Sequence, residues 1–150
     1  MRVTAPTIMS LVVLVLTCAG CDESLKDVAG PTPNLTPTFS SIQREIFNQA
    51  DSSGRAACVQ CHNAGNRAVA ANLSLVEGVS YGELVNVASS RKAGATRVIP
   101  GNPNDSYLIH KLEGRFDIVG QRMPRTGGPY LTQGQIDIIR RWIELGARND

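Results

Sequence analysis

Apolar positions fall at helical spacing in four stretches of the chain, each preceded by a residue able to start a helix. In the first, Phe39, Ile42 and Ile46 share one face, and Ser40 with Gln43 three residues on has the form of a capping box. In the second, Tyr81, Leu84 and Val85 accompany Ser80 and Glu83, a pair of the same form. The third runs through Tyr107, Leu108, Ile109 and Leu112; Asn102-Pro103 offers its start and Gly114 its end. The fourth is the clearest. Ile136, Ile139 and Ile143 repeat at i, i+3, i+7, with Ile138 and Trp142 widening the stripe. Thr132 and Gln135 form its box, Leu131 and Ile136 occupy the positions of a hydrophobic staple, and Gly146 can end it. Asp137–Arg141 and Glu144–Arg148 are spaced for ion pairs on the opposite side. No stretch alternates over the length of a strand; Leu73–Leu75 comes nearest and is too short. The pattern predicts an all-α fold, short helices joined by long loops.

A different pattern occupies the N-terminus. Arg2 precedes the apolar run Ile8–Leu16, far short of the roughly 20 residues a spanning helix needs, so residues 1–20 read as an export signal. Residues 21–38 carry Pro31, Pro33 and Pro37 and few apolar side chains, the composition of a solvated spacer. The packed domain is then 39–150. Ala19-Gly20-Cys21 resembles the lipobox of bacterial lipoproteins, although Cys18 stands where the motif usually has leucine. The resemblance implies lipid on Cys21 and a domain anchored to a membrane on its periplasmic side or at the cell surface; a soluble secretory signal is the alternative. The sequons at Asn34 and Asn72 carry little weight beside a bacterial-looking signal.

Composition narrows the class. The chain has 150 residues, 42% hydrophobic and 19% charged, which suits one domain with a tail. Fifteen basic against thirteen acidic residues, without a block of either, speaks against nucleic acid as a partner. Three Phe, three Tyr and one Trp make a thin core for long loops, which an embedded cofactor would help explain.

The candidate chemistry lies in Cys58-Val59-Gln60-Cys61-His62. Residues three apart in a helical turn lie on one face, so both sulfurs can reach the two vinyl groups on one side of a porphyrin. The next residue, His62, then projects toward the iron, which makes C-x-x-C-H the attachment motif for haem c. Export agrees with it, because covalent haem attachment in bacteria takes place outside the cytoplasmic membrane. A Cys58–Cys61 disulfide would close too small a loop to stabilise much. Zinc would need four ligands, and outside the motif only His110 and a lipidated Cys21 remain. A thioredoxin-like site would need a preceding strand.

The sixth ligand follows by elimination. Beyond the signal, Met123 is the only methionine and His110 the only spare histidine. His110 lies across its helix from Leu108 and Leu112, the side expected to face water. Met123 sits in Gly120-Gln121-Arg122-Met123-Pro124, an irregular loop that Pro124 stiffens. Gap-filling in the core is its bland alternative. Leu73, Leu75, Leu84, Leu108, Leu112, Tyr130, Ile139 and Trp142 are candidate walls for a haem or ordinary core. Arg91, Lys92, Arg97, Arg115, Arg122 and Arg125 are a solvated surface by default; otherwise they pair with haem propionates or dock an acidic partner.

Helix, CxxCH, connecting loops and helix, Met loop, closing helix is the order of class I mono-haem cytochromes c, which residues 39–150 resemble. Val98-Ile99-Pro100-Gly101-Asn102-Pro103, Arg122-Met123-Pro124-Arg125-Thr126-Gly127-Gly128-Pro129-Tyr130-Leu131 and Ile139-Arg140-Arg141-Trp142-Ile143 look more specifically like the planctomycete-type cytochrome c domain. The resemblance implies short helices wrapped around one covalent haem c, His62 and Met123 as axial ligands, and electron transfer between donor and acceptor proteins rather than an enzyme's turnover. His/Met ligation favours ferrous iron and leaves no open position. A five-coordinate haem serving as a peroxidase or gas sensor, or a haem subunit of a larger oxidoreductase, are the alternatives. Two features depart from the family pattern: residues 50–57 look inserted, and no proline closely follows His62 to supply its usual carbonyl partner.

Overall fold

The computed structural model describes residues 30–67 and 69–150, so the export signal and the Cys21 anchor lie outside the described residues. Four α-helices occur among them: α1 (Phe39–Ile42), α2 (Ser80–Leu84), α3 (Tyr107–Glu113) and α4 (Gln133–Glu144). α1 runs on as a wider π-helical turn, Gln43–Phe47, and tight 3-10 turns cover Cys58–Gln60 and Ala64–Asn66. No strand forms among the described residues; Val85–Val98, Ala88–Thr96 and Thr96–Ser106 meet only as isolated bridges. The fold is helical, with long loops, as the periodicity predicts.

α4 forms where local signals agree. The Thr132 hydroxyl accepts from the Gln135 N–H at 3.2 Å, and the Gln135 side chain accepts from the Thr132 N–H at 2.8 Å, completing the box. Leu131, Ile136, Ile139, Trp142 and Ile143 are buried. Its surface charges pair otherwise than spacing suggests: Arg141 reaches Glu144 at 3.4 Å, and Asp137 accepts from Gln133.

The other starts are corrected by tertiary contacts. Thr38, not Ser40, caps α1, accepting from the Ser41 N–H at 3.3 Å. Gln43 is buried and donates to the Leu75 carbonyl and to Asn48, both at 2.8 Å, while accepting from the Ser80 hydroxyl at 2.5 Å. A buried amide must satisfy donors and acceptor alike, and these partners outcompete its own helix end. Glu83 likewise leaves Ser80 and accepts from the Ser74 N–H at 2.6 Å and from Arg67. α3 begins at Tyr107 rather than just after Asn102, whose side chain accepts from the Asp105 N–H in the turn ahead of the helix. Gly114 ends it in the left-handed conformation, φ 73°.

The core gathers around Phe39, whose ring meets Tyr81 at 5.1 Å, Trp142 at 5.4 Å and Phe47 at 6.4 Å. The C-terminal residues fasten α1 to α4: the Phe39 and Ser40 N–H groups donate to Asp150, and the Trp142 ring N–H donates to the Arg148 carbonyl. The expected spacer does not extend to Thr38. Leu35 is fully buried, and Thr32 accepts from Gln135 at 3.0 Å, so the packed body begins near Thr32. One leucine within a proline-rich run suffices, because its burial removes the whole side chain from water. Among the described residues no helix is long and apolar enough to cross a membrane.

Candidate functional site

The five-residue motif folds as one tight turn. The Cys58 carbonyl accepts from the Cys61 N–H at 3.2 Å and from the His62 N–H at 2.9 Å. Both thiols are free, but their surroundings differ. Cys58 is half-buried against the core, its Sγ donating to the Ile46 carbonyl at 3.4 Å, whereas Cys61 is exposed. Burial pushes the Cys58 thiol up to about 11, against the pull of the nearby Arg55 charge.

His62 is fixed through the residues that follow it. Its carbonyl accepts from the Leu75 N–H at 2.8 Å, and Nδ1 lies 3.2 Å from the Leu73 carbonyl. A carbonyl only accepts, so Nδ1 carries the proton and the neutral ring presents its lone pair on Nε2. Burial lowers the pKa of His62, and the Arg97 and Lys111 charges add to that against the Leu73 and Ala70 carbonyls, which favours the neutral ring a metal requires. The carbonyl partner that no proline marks in the sequence is thus Leu73.

Two buried arginines hold this side, and neither reads as buried in the sequence. Arg55, 1% exposed, pairs with Asp51 and donates to the carbonyls of Glu45, Ile46, Gln49 and Ala56. Arg97 is not the solvated side chain its setting suggests. It is 8% exposed and donates to the Glu83 carbonyl at 2.7 Å and to those of Ala71 and Asn72 at 3.0 and 3.3 Å. It thereby pins the stretch that delivers the Leu73 carbonyl to His62.

Met123 is half-buried against the same core that Cys58, Leu73 and Leu108 border. Its N–H donates to the Lys111 carbonyl at 2.9 Å. The loop before it is laced onto α3: the Lys111 ammonium donates to the Val119 and Gln121 carbonyls, and the Tyr107 hydroxyl accepts from the Val119 N–H at 2.8 Å. Arg122 donates to the Leu112 carbonyl at 2.7 Å and lies over the Tyr130 ring. Met123 and Leu73, whose carbonyl meets His62, pack against the same buried core.

His110 does not face open water. Its side chain is 14% exposed, Nδ1 lies 3.1 Å from Asp117, and Nε2 lies 2.7 Å from the Asn104 carbonyl. Both nitrogens are engaged, a firmer reason than helix face for setting it apart from the site. Among the candidate wall residues, Leu75, Leu84, Leu112, Ile139 and Trp142 are buried core, Leu73 and Leu108 border it, and Tyr130 is exposed. Lys92 pairs with Asp117 and Arg115 with Glu113, while Arg125 stays exposed.

Two surface cavities, of about 460 and 120 Å³, lie away from the motif, against Gln43, Asn48 and Glu77 and against Pro37, Trp142 and Leu145. Among the described residues no three His, Cys, Asp or Glu side chains gather closely enough to hold a metal ion by themselves. The donors present suit haem c instead: two free thiols, an imidazole presenting Nε2, and a half-buried thioether. No protein-family model, no curated protein and no solved structure matches the chain.

Proposed function

We propose that the chain is an exported mono-haem c-type cytochrome of class I type, anchored through lipid on Cys21 and passing electrons between protein partners. The reading rests on one observation above the rest: the turn carrying Cys58 and Cys61 leads directly into a His62 whose Nδ1 is tied to the Leu73 carbonyl, so that Nε2 is the available donor. Haem bound there supplies a one-electron iron couple. The chain's own contributions are attachment through Cys58 and Cys61, orientation of His62 by Leu73, and provision of Met123 from a loop held by Lys111. Met123 would supply a thioether, which would favour ferrous iron and leave no open site for oxygen or peroxide chemistry.

The test is the covalent haem and its sixth ligand. The exported protein should retain one haem through acid-acetone extraction, and the double change Cys58→Ala with Cys61→Ala should abolish it. Met123→Ala should remove the ferric iron–sulfur band, lower the potential and open the iron to carbon monoxide, while His110→Ala should leave the spectrum nearly unchanged. A wild type that already binds carbon monoxide readily is a five-coordinate haem protein, and the electron-carrier reading then falls.

A further inference from the structure

Segment 51–57, between the first helix and the Cys58 turn, contributes nothing to the helix pattern or the attachment motif, yet it carries the deepest charges of this side. The Asp51 and Arg55 side chains are 2% and 1% exposed. Arg55 Nε donates to Asp51 at 3.0 Å, Nη1 to the Ile46 and Ala56 carbonyls at 3.1 and 3.0 Å, and Nη2 to the Glu45 and Gln49 carbonyls at 3.3 and 3.2 Å. Asp51 in turn accepts from the Ser53 N–H and hydroxyl, from the Arg55 N–H and from Gln135. A buried ion pair often stabilises no better than well-packed apolar residues, so a positional role is the one to look for.

The Ile46 carbonyl supplies one. It lies in the last turn of the first helix, where carbonyls lack helical partners, and it accepts from both Arg55 and the Cys58 thiol. One carbonyl therefore joins the ion pair to the first attachment sulfur. Cys61, three residues on, is exposed.

We propose that Asp51 and Arg55 are positioning residues of the attachment site: they fix the Ile46 carbonyl, and through it the Cys58 sulfur, while Cys61 keeps its freedom. The inference rests on the haem reading above. Thioether formation adds a thiol S–H across a vinyl double bond, sulfur to the inner carbon and hydrogen to the outer, with nothing leaving and no oxidant consumed. Its rate depends on how well the sulfur is placed. Loss of the clamp should therefore cost the Cys58 thioether selectively.

The experiment produces the full chain in a host that matures haem c, as wild type, Arg55→Gln, Arg55→Lys, Asp51→Asn and, as the single-thioether reference, Cys58→Ala. Thioethers are counted by the reduced pyridine haemochrome band and the mass of haem peptides, and free thiols are mapped with N-ethylmaleimide. Arg55→Gln should raise the fraction attached through Cys61 alone on the order of tenfold, since misplacement of about 1 Å can cost far more in rate. Its free thiol should map to Cys58, and Arg55→Lys should restore part of the double attachment. Wild-type levels of both thioethers in Arg55→Gln would overturn the proposal; so would equal loss at both cysteines, which marks a merely structural role. Should Arg55→Gln not accumulate, Asp51→Asn decides by the same two criteria. If the wild type carries no covalent haem, the haem reading fails separately. N-ethylmaleimide must then still label Cys61 ahead of Cys58 in the wild type and both alike in Arg55→Gln, or the clamp fails as well.

Discussion

The stretches that carry His62 and Met123 are both irregular, yet different physics holds each in place. On the His62 side, Arg55 and Arg97 are 1% and 8% exposed and donate into backbone carbonyls that no helix or sheet satisfies. On the Met123 side, charges meet nearer to water: Lys92 with Asp117 at 2.5 Å, Arg115 with Glu113 at 2.6 Å, and Arg140 with Glu113 at 3.3 Å. A buried guanidinium cannot be removed without stranding its partners, whereas an exposed pair is screened and replaced by water. The His62 side is thus fixed by groups with no alternative partner, and the Met123 side by groups that have one. In the proposed carrier, the firmly fixed side would hold the attachment cysteines and His62, and the side nearer to water would offer the Met123 thioether.

The most severe break falls on the buried side. Asp51→Ala strands Arg55 and should cost about 3–5 kcal/mol of stability, the range for removing one partner of a buried pair. Acid should act on the same contact. Burial alone would raise the pKa of Asp51, but the hydrogen bonds from Ser53 and Gln135 and the Arg55 charge outweigh it and hold the carboxyl below its ordinary 3.8. The folded value is the lower one, so this contribution is complete above about pH 4 and fades as pH falls through the folded value. Urea unfolding at neutral pH and near pH 3 measures both effects, and Asp51→Asn should flatten the acid decline. A midpoint for Asp51→Ala close to wild type would erase the contrast between the two sides.

How far each side is legible in the sequence follows from the same physics. The start and buried face of α4 are legible because its cap partners, Thr132 and Gln135, are three residues apart and its apolar stripe is regular. The Ser40–Gln43 and Ser80–Glu83 boxes have the same local form and fail, since Gln43 and Ser80 find each other across 37 residues. The turn that carries Cys58, Cys61 and His62 is legible because its partners are neighbours in the chain. The Leu73 carbonyl that orients His62 is not, because every residue has a carbonyl and nothing in the sequence marks which one a ring will meet. Arg55 is hidden for a similar reason: an arginine between alanines and a glycine reads as surface until its carbonyl partners are known.

An intermediate effect is expected where the methionine side depends on backbone shape. Gly114 has φ 73°, and a Cβ there would stand 2.8 Å from Arg122 Cδ and 3.2 Å from its Cβ. Left-handed backbone costs a side chain about 1–2 kcal/mol, and Arg122 must also leave the Leu112 carbonyl it holds at 2.7 Å. Gly114→Ala should therefore destabilise by about 1–3 kcal/mol. Amide exchange should quicken at Met123, whose N–H donates to Lys111, and stay unchanged at Leu75, whose N–H donates to His62. Equal acceleration at both amides would mean that the two sides are one mechanical unit.

The smallest effect should come from Arg140, and its size tests the comparison from the other end. Arg140 joins α4 to α3, reaching Glu113 at 3.3 Å and the Asn104 side chain at 2.5 Å, with both charged groups about a fifth exposed. Arg140→Met keeps the aliphatic stem and removes the charge, and Glu113 still has Arg115 at 2.6 Å, so no carboxylate is stranded. A pair in that setting contributes about 0.2–1 kcal/mol. Salt then separates it from Arg55. At about 1 M ionic strength the screening length shrinks to about 3 Å, so the cost of Arg140→Met should nearly vanish between low and high salt. The cost of Arg55→Gln should persist, because it consists mainly of carbonyls left without donors in a space salt does not enter. Urea midpoints for both variants at the two salt concentrations make the measurement. If Arg140→Met keeps its full cost in high salt, the methionine side is held by buried polar contacts after all, and the difference between the sides is one of degree rather than of mechanism.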